Sequence, residues 1–394
     1  MQELNGLDLL RIDDMFEEEE RMVRNTVREW IDDRVLPEIE QWAWDCRFPR
    51  EIATELGRLD LLGAPYAEFD LPGVNAVTYG LINRELERGD SGLRSFVSVQ
   101  TSLVMYPILS WGSRQQQEEW IPRLGRGDAI GCFGLTEPDF GSNPGGMRTR
   151  ARRDGSDWVL NGAKAWITNG SIADVAVVWA RTDDGVRGFL VEAGTPGFST
   201  VEHKGKYSLR ASVTSQLVFE DCRIPHDAVL ADTTGLKNAL QCLNQARYGI
   251  AWGALGSAMA TFDAALDYAK TRVQFGGRPI AAHQIQQQKL AWMFSEINKG
   301  QLLALQIGRL KDRGELRHEA VSLAKRNNVW VARECAKLAR EIHGANGIVN
   351  EYPIMRHLMN LETVYTYEGT HDIHTLVLGQ YLTGIPAFDP PLEQ

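Results

Sequence analysis

The sequence predicts a mostly helical fold with a small β domain set in its middle. Two patterns carry that prediction. Both outer parts repeat apolar residues at helical spacing, whereas the stretch from about 129 to 236 alternates with the period of strands and is punctuated by glycine turns. Size agrees: 394 residues, 43% hydrophobic and 24% charged, suit a globular chain of two or three domains with a core that needs no staples.

The first zone runs from residue 1 to about 128. In "MVRNTVREWIDDRVLPEIE" the residues Val23, Val27, Trp30, Ile31 and Val35 fall on one helical face, and Pro37 ends or kinks the helix. Glu17 to Glu20 read as a solvated first turn, where acids suit the helix dipole. "ERGDSGLRSFVSVQ" places Glu87 and Arg94 close together. They read either as an exposed ion pair of little worth or as an arginine, held by Glu87 and Ser95, whose planar fork suits a carboxylate.

The second zone, about 129 to 236, holds the strands. "DWVLNGAKAWITNG" alternates around Asn161-Gly162, which predicts a hairpin turn there, and "VAVVWARTDDGVRGFLVEAG" repeats the theme at Asp183-Asp184-Gly185. "SQLVFEDCRIP" is a further strand. "GCFGLTEPDFGSNPGG" is a glycine-rich loop with Thr136 and Ser142 hydroxyls, either a plain β-domain connection or a place where backbone approaches a ligand; it matches neither GxGxxG nor a P-loop. Trp166 and Thr168 in "AWITNG" are either core or one wall of a flat aromatic cofactor.

The third zone, from about 237 to the end, returns to helix. Three long helical-period segments predict an antiparallel bundle. "RVQFGGRP" ends the first of them, either as a C-cap with Gly276 in the left-handed region or as a ligand contact from Arg272 and Phe275. "TYEGTHDIH" sets Glu368 between an aromatic and a glycine, and so raises three readings: surface decoration, metal ligand or base. His371 and His374 are spaced to face one metal, but no cysteine is near and Asp372 points elsewhere on the turn, so no metal site is expected.

The formal net charge of −10 argues against a nucleic-acid partner. No apolar run approaches the ~20 residues of a membrane span. The acidic first twenty residues have the features of neither a secretory signal nor a transit peptide, so the expected location is cytoplasmic, or a mitochondrial matrix if the chain is a processed form. Five scattered cysteines without a CxxC fit a reducing compartment.

Together these segments resemble the acyl-CoA dehydrogenase family, and within it the glutaryl-CoA dehydrogenase branch. The marks are "SGLRSFVSVQTSLVM", "CFGLTEPDFGSN", "AKAWITN", "CLNQARYGIAWG", "RVQFG" and "NLETVYTYEGTHDIH", and the likeness runs from the first helix to "LTGIPAF". The resemblance implies an N-terminal helical domain (1–128), a middle β-barrel (129–236) and a C-terminal four-helix bundle (237–394), assembled as a homotetramer with FAD between the middle and C-terminal domains. It implies Glu368 as the base, the Gly369 N–H as a donor to the thioester carbonyl, Tyr367 excluding water in an apolar site that raises the Glu368 pKa, and Arg94 with Glu87 and Ser95 gripping a distal carboxylate. Leu243, Asn244, Arg247 and Ser142 would meet the acyl-CoA. Phe133, Leu135, Thr136, Gly141, Ser142, Trp166, Ile167, Thr168, Thr370 and Phe388 would hold the FAD. Arg272, Phe275, Gln284, Glu341, Gly344 and Ala345 would reach the FAD of a neighbouring subunit. The implied activity is oxidative decarboxylation of glutaryl-CoA to crotonyl-CoA, a step of lysine and tryptophan degradation, with electron-transfer flavoprotein as acceptor. The rival readings are a non-decarboxylating dehydrogenase, a short-chain dehydrogenase or oxidase, and a scaffold without turnover. Three departures stand out: Ala345 replaces a usual glycine, one extra residue lies between Phe275 and Gln284, and Phe140 with Gly145-Gly146 replaces small polar residues.

Overall fold

The computed structural model describes residues 8–387, so Phe388 lies outside the described residues. Its elements follow the expected order of helices, strands and helices. Helix α1 (Glu18–Trp30) opens with a capping box between Glu17 and Glu20. Val27, Ile31 and Val35 are buried on the anticipated face, and the chain passes through a π-helical turn at Ile31–Val35 and past Pro37 before α2 (Ile39–Trp44). Glu20 departs from the solvated role expected of it. It is buried and accepts hydrogen bonds from Arg309 and Asn75, each at 2.8 Å, which ties α1 to the C-terminal bundle. Next come α3 (Glu51–Arg58), α4 (Ala76–Gly89), α5 (Ser91–Ser98), a π-helical stretch at Val99–Met105, α6 (Tyr106–Trp111) and α7 (Arg114–Gly125).

The middle of the chain supplies β1 (Gly131–Gly134), β2 (Arg150–Asp154), β3 (Asp157–Thr168), β4 (Val175–Thr182), β5 (Gly185–Glu192), β6 (Phe198–Glu202) and β7 (Thr214–Ile224). They form one sheet in the order β1-β4-β2-β3-β7-β6, with β5 also on β4. It is a half-barrel: among the described residues no ladder joins β6 back to β5. The turn at Asp183-Asp184 forms as expected and links β4 to β5. The Asn161-Gly162 hairpin does not. β3 runs straight through that pair, and the chain reverses instead at Gly155-Ser156. Asn161-Gly162 makes a bulge, where the register with β7 slips and Gly162 takes φ +141° against the backbone of Thr149. The Asn161 side chain is spent across the strand, donating to Asp221 at 3.0 Å and accepting from its N–H at 2.9 Å.

The C-terminal part contains α8 (Leu236–Thr271), α9 (Gln284–Asp312), α10 (His318–His343), α11 (Ile354–Thr366) and α12 (His371–Thr383). Between α8 and α9 lies a small hairpin, β8 (Val273–Gln274) and β9 (Arg278–Pro279). Gly276 therefore does not cap α8, which ends at Thr271; it sits in the hairpin turn, where Phe275, Gly276 and Gly277 have φ of 42°, 82° and 78°. No helix among the described residues is long and apolar enough to cross a membrane.

The two helical parts are joined by the crossing of α4 on α8. Every residue of α4 except Arg88 is buried. α8 meets it along a stripe of glycines one turn apart. A Cβ on Gly249 would lie 2.8 Å from the Asn83 side chain, one on Gly253 would overlap the Glu87 carboxylate, and one on Gly256 would overlap the Arg84 carbonyl. Gly80 of α4 is likewise filled by the Trp252 ring. Packing this close leaves no room for a methyl group, and at Gly256 the neighbour is backbone. We expect Gly256→Ala to destabilise the protein by about 1–3 kcal/mol, since the obstacle is backbone and cannot rotate away; a thermal melt of the holoprotein with an unchanged midpoint would contradict this.

Candidate active site

The α4–α8 crossing delivers Glu87 to the start of α5. There Arg94 donates from Nε to Glu87 Oε2 at 2.6 Å, and both side chains are fully buried. The exposed ion pair that the spacing suggested is thus an interior one, and such pairs depend on being complete: losing one partner typically costs about 3–5 kcal/mol. Ser91, not Ser95, supplies the supporting hydroxyl, donating to Glu87 Oε1 at 3.0 Å. Ser95 lines the large cavity beside α5. The other side of Arg94 meets Tyr367, whose hydroxyl accepts from Nη2. Nη1 of Arg94 is buried without a partner. Burial works against the guanidinium charge, but Glu87 and Tyr367 outweigh it and hold the pKa above the ordinary value.

A second buried network fixes α5 and α11 together. Asp90 caps α5 through the Gly92 N–H at 2.7 Å and also accepts from Arg356 at 2.7 Å and Asn360 at 2.9 Å, both on α11. Asn360 in turn accepts the Leu209 N–H from the β domain at 2.8 Å. These bonds set the direction in which α11 leaves the bundle. It ends at Thr366, and the next residues turn sharply: Glu368 has φ +54° and Gly369 φ +93° before Thr370 caps α12. For a non-glycine residue the left-handed region is costly and needs support from its surroundings.

That support is cationic. Arg247 of α8 donates to the Glu368 carbonyl at 2.7 Å, and Lys325 of α10 donates to the Tyr367 and Gly369 carbonyls, the latter at 2.6 Å. The Glu368 carboxylate itself is not satisfied: Oε2 is buried with no hydrogen-bond partner. Burial raises the Glu368 pKa, opposed by Arg94, Lys325 and Arg247. The direction is the one anticipated, but the surroundings are not simply apolar. Burial lowers the Lys325 pKa, and the Glu368 carboxylate opposes this. His374, bonded to Ser322 at 3.0 Å, is held neutral by burial and by the same cations. His371 stacks on Tyr365 instead of joining it.

Glu368 opens onto a cavity of about 1820 Å³ between the β domain and α8. Phe133, Leu135, Thr136, Gly141, Ser142, Trp166, Ile167 and Thr168 line one side of it. Leu243, Asn244 and Arg247 line another, and Tyr367, Gly369 and Thr370 frame the mouth of the turn. Trp166 decides between the two readings of its segment. A core tryptophan would be covered, but this one is 65% exposed, has φ +61° and stacks only on His203. A flat apolar wall presented to so large a cavity, with threonine hydroxyls beside it, fits a flavin ring and leaves room for an acyl thioester against Glu368.

The remaining expected contacts lie elsewhere. Arg272 and Phe275 flank the β8–β9 hairpin, Gln284 starts α9, and Glu341, Gly344 and Ala345 end α10. They share one end of the bundle, tied by Lys289 to Glu341 at 2.7 Å. Sixteen residues of α10 separate Lys325 from Glu341, roughly 24 Å of helix, so one chain does not bring both groups to the same cavity. The extra residue before Gln284 falls in or beside an open hairpin turn, where Gly276 and Gly277 have nothing near them. Lys325, Ser91 and Arg356 were not singled out from the sequence. Lys325 did leave a signal: it interrupts the buried face formed by Val321, Asn328 and Ala332, where a charge needs partners.

Comparison with known proteins agrees with this fold. Three family models cover most of the chain: the acyl-CoA dehydrogenase N-terminal domain at 17–128, middle domain at 132–222 and C-terminal domain at 233–383. The human mitochondrial short-chain specific acyl-CoA dehydrogenase is 37% identical over 372 residues, 93% of this chain and 90% of that protein. A crystal structure of glutaryl-CoA dehydrogenase from Mycobacterium smegmatis has a TM-score of 0.96 at 55% identity, covering 97% of this chain and 99% of its own. Another glutaryl-CoA dehydrogenase structure from that organism, in complex with FADH2, has a TM-score of 0.96 at 52% identity over the same shares. With a carboxylate waiting unpaired on a flavin-sized cavity and all three domain models matched, the chain belongs to the acyl-CoA dehydrogenase family of FAD-dependent oxidoreductases.

Proposed function

We propose that this acyl-CoA dehydrogenase takes glutaryl-CoA and converts it to crotonyl-CoA and CO2. The observation that carries the choice of a dicarboxylic substrate is Arg94, a fully buried guanidinium whose Nη1 has no partner while Nε and Nη2 are engaged. A neutral acyl chain gives that group nothing to bind, whereas a distal carboxylate satisfies it with a charge-assisted hydrogen bond. Arg94 is not itself part of the cavity wall; Tyr367 and Ser95 are, so a small movement of Tyr367 is required for the carboxylate to reach it.

In this reading FAD, when bound, supplies the two-electron oxidation of the Cα–Cβ bond. Glu368 removes the α-proton, for which its buried carboxylate is suited because nothing else competes for Oε2. The Gly369 N–H, which has no protein partner among the described residues, donates to the thioester carbonyl as negative charge builds there. Arg94 holds the distal carboxylate until the C–C bond breaks and CO2 leaves. The electron pair left on the acyl chain is quenched by the proton returned from Glu368. Residues at the far end of the bundle, Arg272, Phe275, Gln284, Glu341, Gly344 and Ala345, serve the flavin of a neighbouring copy in a homotetramer, and an electron-transfer flavoprotein reoxidises the enzyme.

The test is anaerobic mixing of the holoenzyme with glutaryl-CoA while following flavin absorbance and released CO2. Bleaching without CO2 would leave a dehydrogenase that stops before decarboxylation; no bleaching would remove the substrate assignment. Glu368→Gln is expected to keep its FAD and to slow bleaching by at least about 10²-fold, the usual worth of a positioned base. Arg94→Ala should lose about 10²-fold more kcat/KM on glutaryl-CoA than on a neutral five-carbon acyl-CoA, and equal losses would dismiss the carboxylate role. Because the Glu368 carboxyl keeps its proton to a higher pH than an ordinary glutamate and only the anion accepts a proton, activity should fall on acidification through a pKa above the normal carboxylate range. A kcat/KM profile that is flat down to the ordinary range would contradict it.

A further inference from the structure

The turn that carries Glu368 is held in an unusual way. Three consecutive carbonyls, of Tyr367, Glu368 and Gly369, each accept from a cation, the buried Lys325 of α10 or the half-buried Arg247 of α8. Lys325 takes the outer two, Arg247 the middle one. Lys325 is 2% exposed and every hydrogen bond recorded for its ammonium goes to this turn. Nothing in α10 itself needs a lysine there, since its neighbours on that face are Val321 and Asn328 and the helix packs on α8 through Val329, Ala332 and Cys335.

Resting on the assignment of Glu368 as the base, we propose that Lys325 is a positioning residue for the reaction: it bridges the carbonyls on either side of Glu368 and so locks the base, and the Gly369 N–H beyond it, in the left-handed turn that faces the cavity. Three features make the bridge specific. First, Glu368 holds φ +54° without the freedom of glycine, and pinning both flanking carbonyls removes the extended alternative. Second, with three carbonyls bonded to cations behind the turn, the Glu368 carboxylate is turned away from every donor and is left for substrate. Third, His374 crowds the remaining side: its Nε2 lies 2.9 Å from where a Cβ on Gly369 would sit, so there is little room for the turn to relax toward α12.

The same ammonium sets the electrostatics of the base. Charged groups face Glu368 from α5 (Arg94), α8 (Arg247) and α10 (Lys325), with Glu87 of α4 neutralising Arg94 from behind and His374 of α12 uncharged. Arg94 is thus compensated, while Lys325 and Arg247 have no acidic partner of their own among the salt bridges of the described residues. Lys325 favours the carboxylate, so its removal must leave the Glu368 proton more firmly bound.

The experiment is rapid anaerobic flavin reduction by glutaryl-CoA across pH in four holoenzymes: parent, Lys325→Met, Lys325→Arg and Glu368→Gln. Lys325→Met is expected to retain FAD, to slow reduction by about 10²-fold, and to move the acid limb of the rate upward by about one pH unit, because the neighbouring cation no longer opposes protonation. Lys325→Arg, which keeps the charge and can still span two carbonyls, should recover at least about ten-fold of that rate and return the limb toward the parent. A Lys325→Met enzyme with parental rate and limb overturns the proposal, as does a slowed one whose limb stays in place and which Lys325→Arg does not rescue. If Lys325→Met fails to fold, Lys325→Arg alone decides: rate and limb near the parent support the bridge, and a rate as low as that of Glu368→Gln overturns it. Reduction at parental rate by Glu368→Gln would instead remove the base assignment and leave the hydrogen-bonded turn untouched.

Discussion

The close crossing of α4 over α8 is the constraint on which the site depends. Three glycines of α8 let it close on α4: Gly256 meets the α4 backbone, and Gly249 and Gly253 make room for the Asn83 and Glu87 side chains. That approach leaves space for the Glu87 carboxylate beside Gly253 and therefore for the Glu87–Arg94 pair. It also brings Arg247, less than two turns before Gly253 on the same helix, under the turn that carries Glu368. One packing decision thus positions both the group proposed to read the far end of the substrate and one of the cations that hold the turn of the proposed base.

The interior built around this crossing is more charged than a dehydrogenation site needs to be if only apolar shielding mattered. Arg94 and Lys325, both buried, and the half-buried Arg247 gather near a single carboxylate. Each is placed by hydrogen bonds, to Glu87, to the Glu368 carbonyl and to the carbonyls on either side of it. Burial alone would drive Glu368 to hold its proton; the cations oppose this. In the proposed role Glu368 must be free of its proton at the start and bind one firmly enough to take it from carbon, and the two influences together suit that balance. Trp166 contributes differently: its exposed ring in strained backbone is unexplained by the folding of the β domain and makes sense as the wall of a flat cofactor.

Much of this was readable from residue order. Helical and strand periodicity gave the three zones, Pro37 and the Asp183-Asp184 turn fell where expected, and the motif around Glu368 pointed to the carboxylate that lies unpaired on the cavity. The misreadings were local and share a cause. Asn161-Gly162 and Gly276 carry turn chemistry, but a strand bulge, a hairpin and a helix cap all draw on the same left-handed backbone, and only the partner strand or helix selects among them. Glu20 looks like any acid in a first turn until Arg309, nearly three hundred residues away, is brought against it.

Residue order by itself determined the alternation of helix and strand and the family, and it nominated the carboxylate proposed as base, because periodicity and short motifs are local properties of a chain. Tertiary structure alone decided that Glu87 and Arg94 are interior, that Ser91 and Tyr367 brace them in place of Ser95, and that Lys325 belongs to the turn of Glu368. These are meetings between segments far apart in the chain, made by side chains whose cost of burial is met only when the other partner arrives, and no local pattern records when that happens.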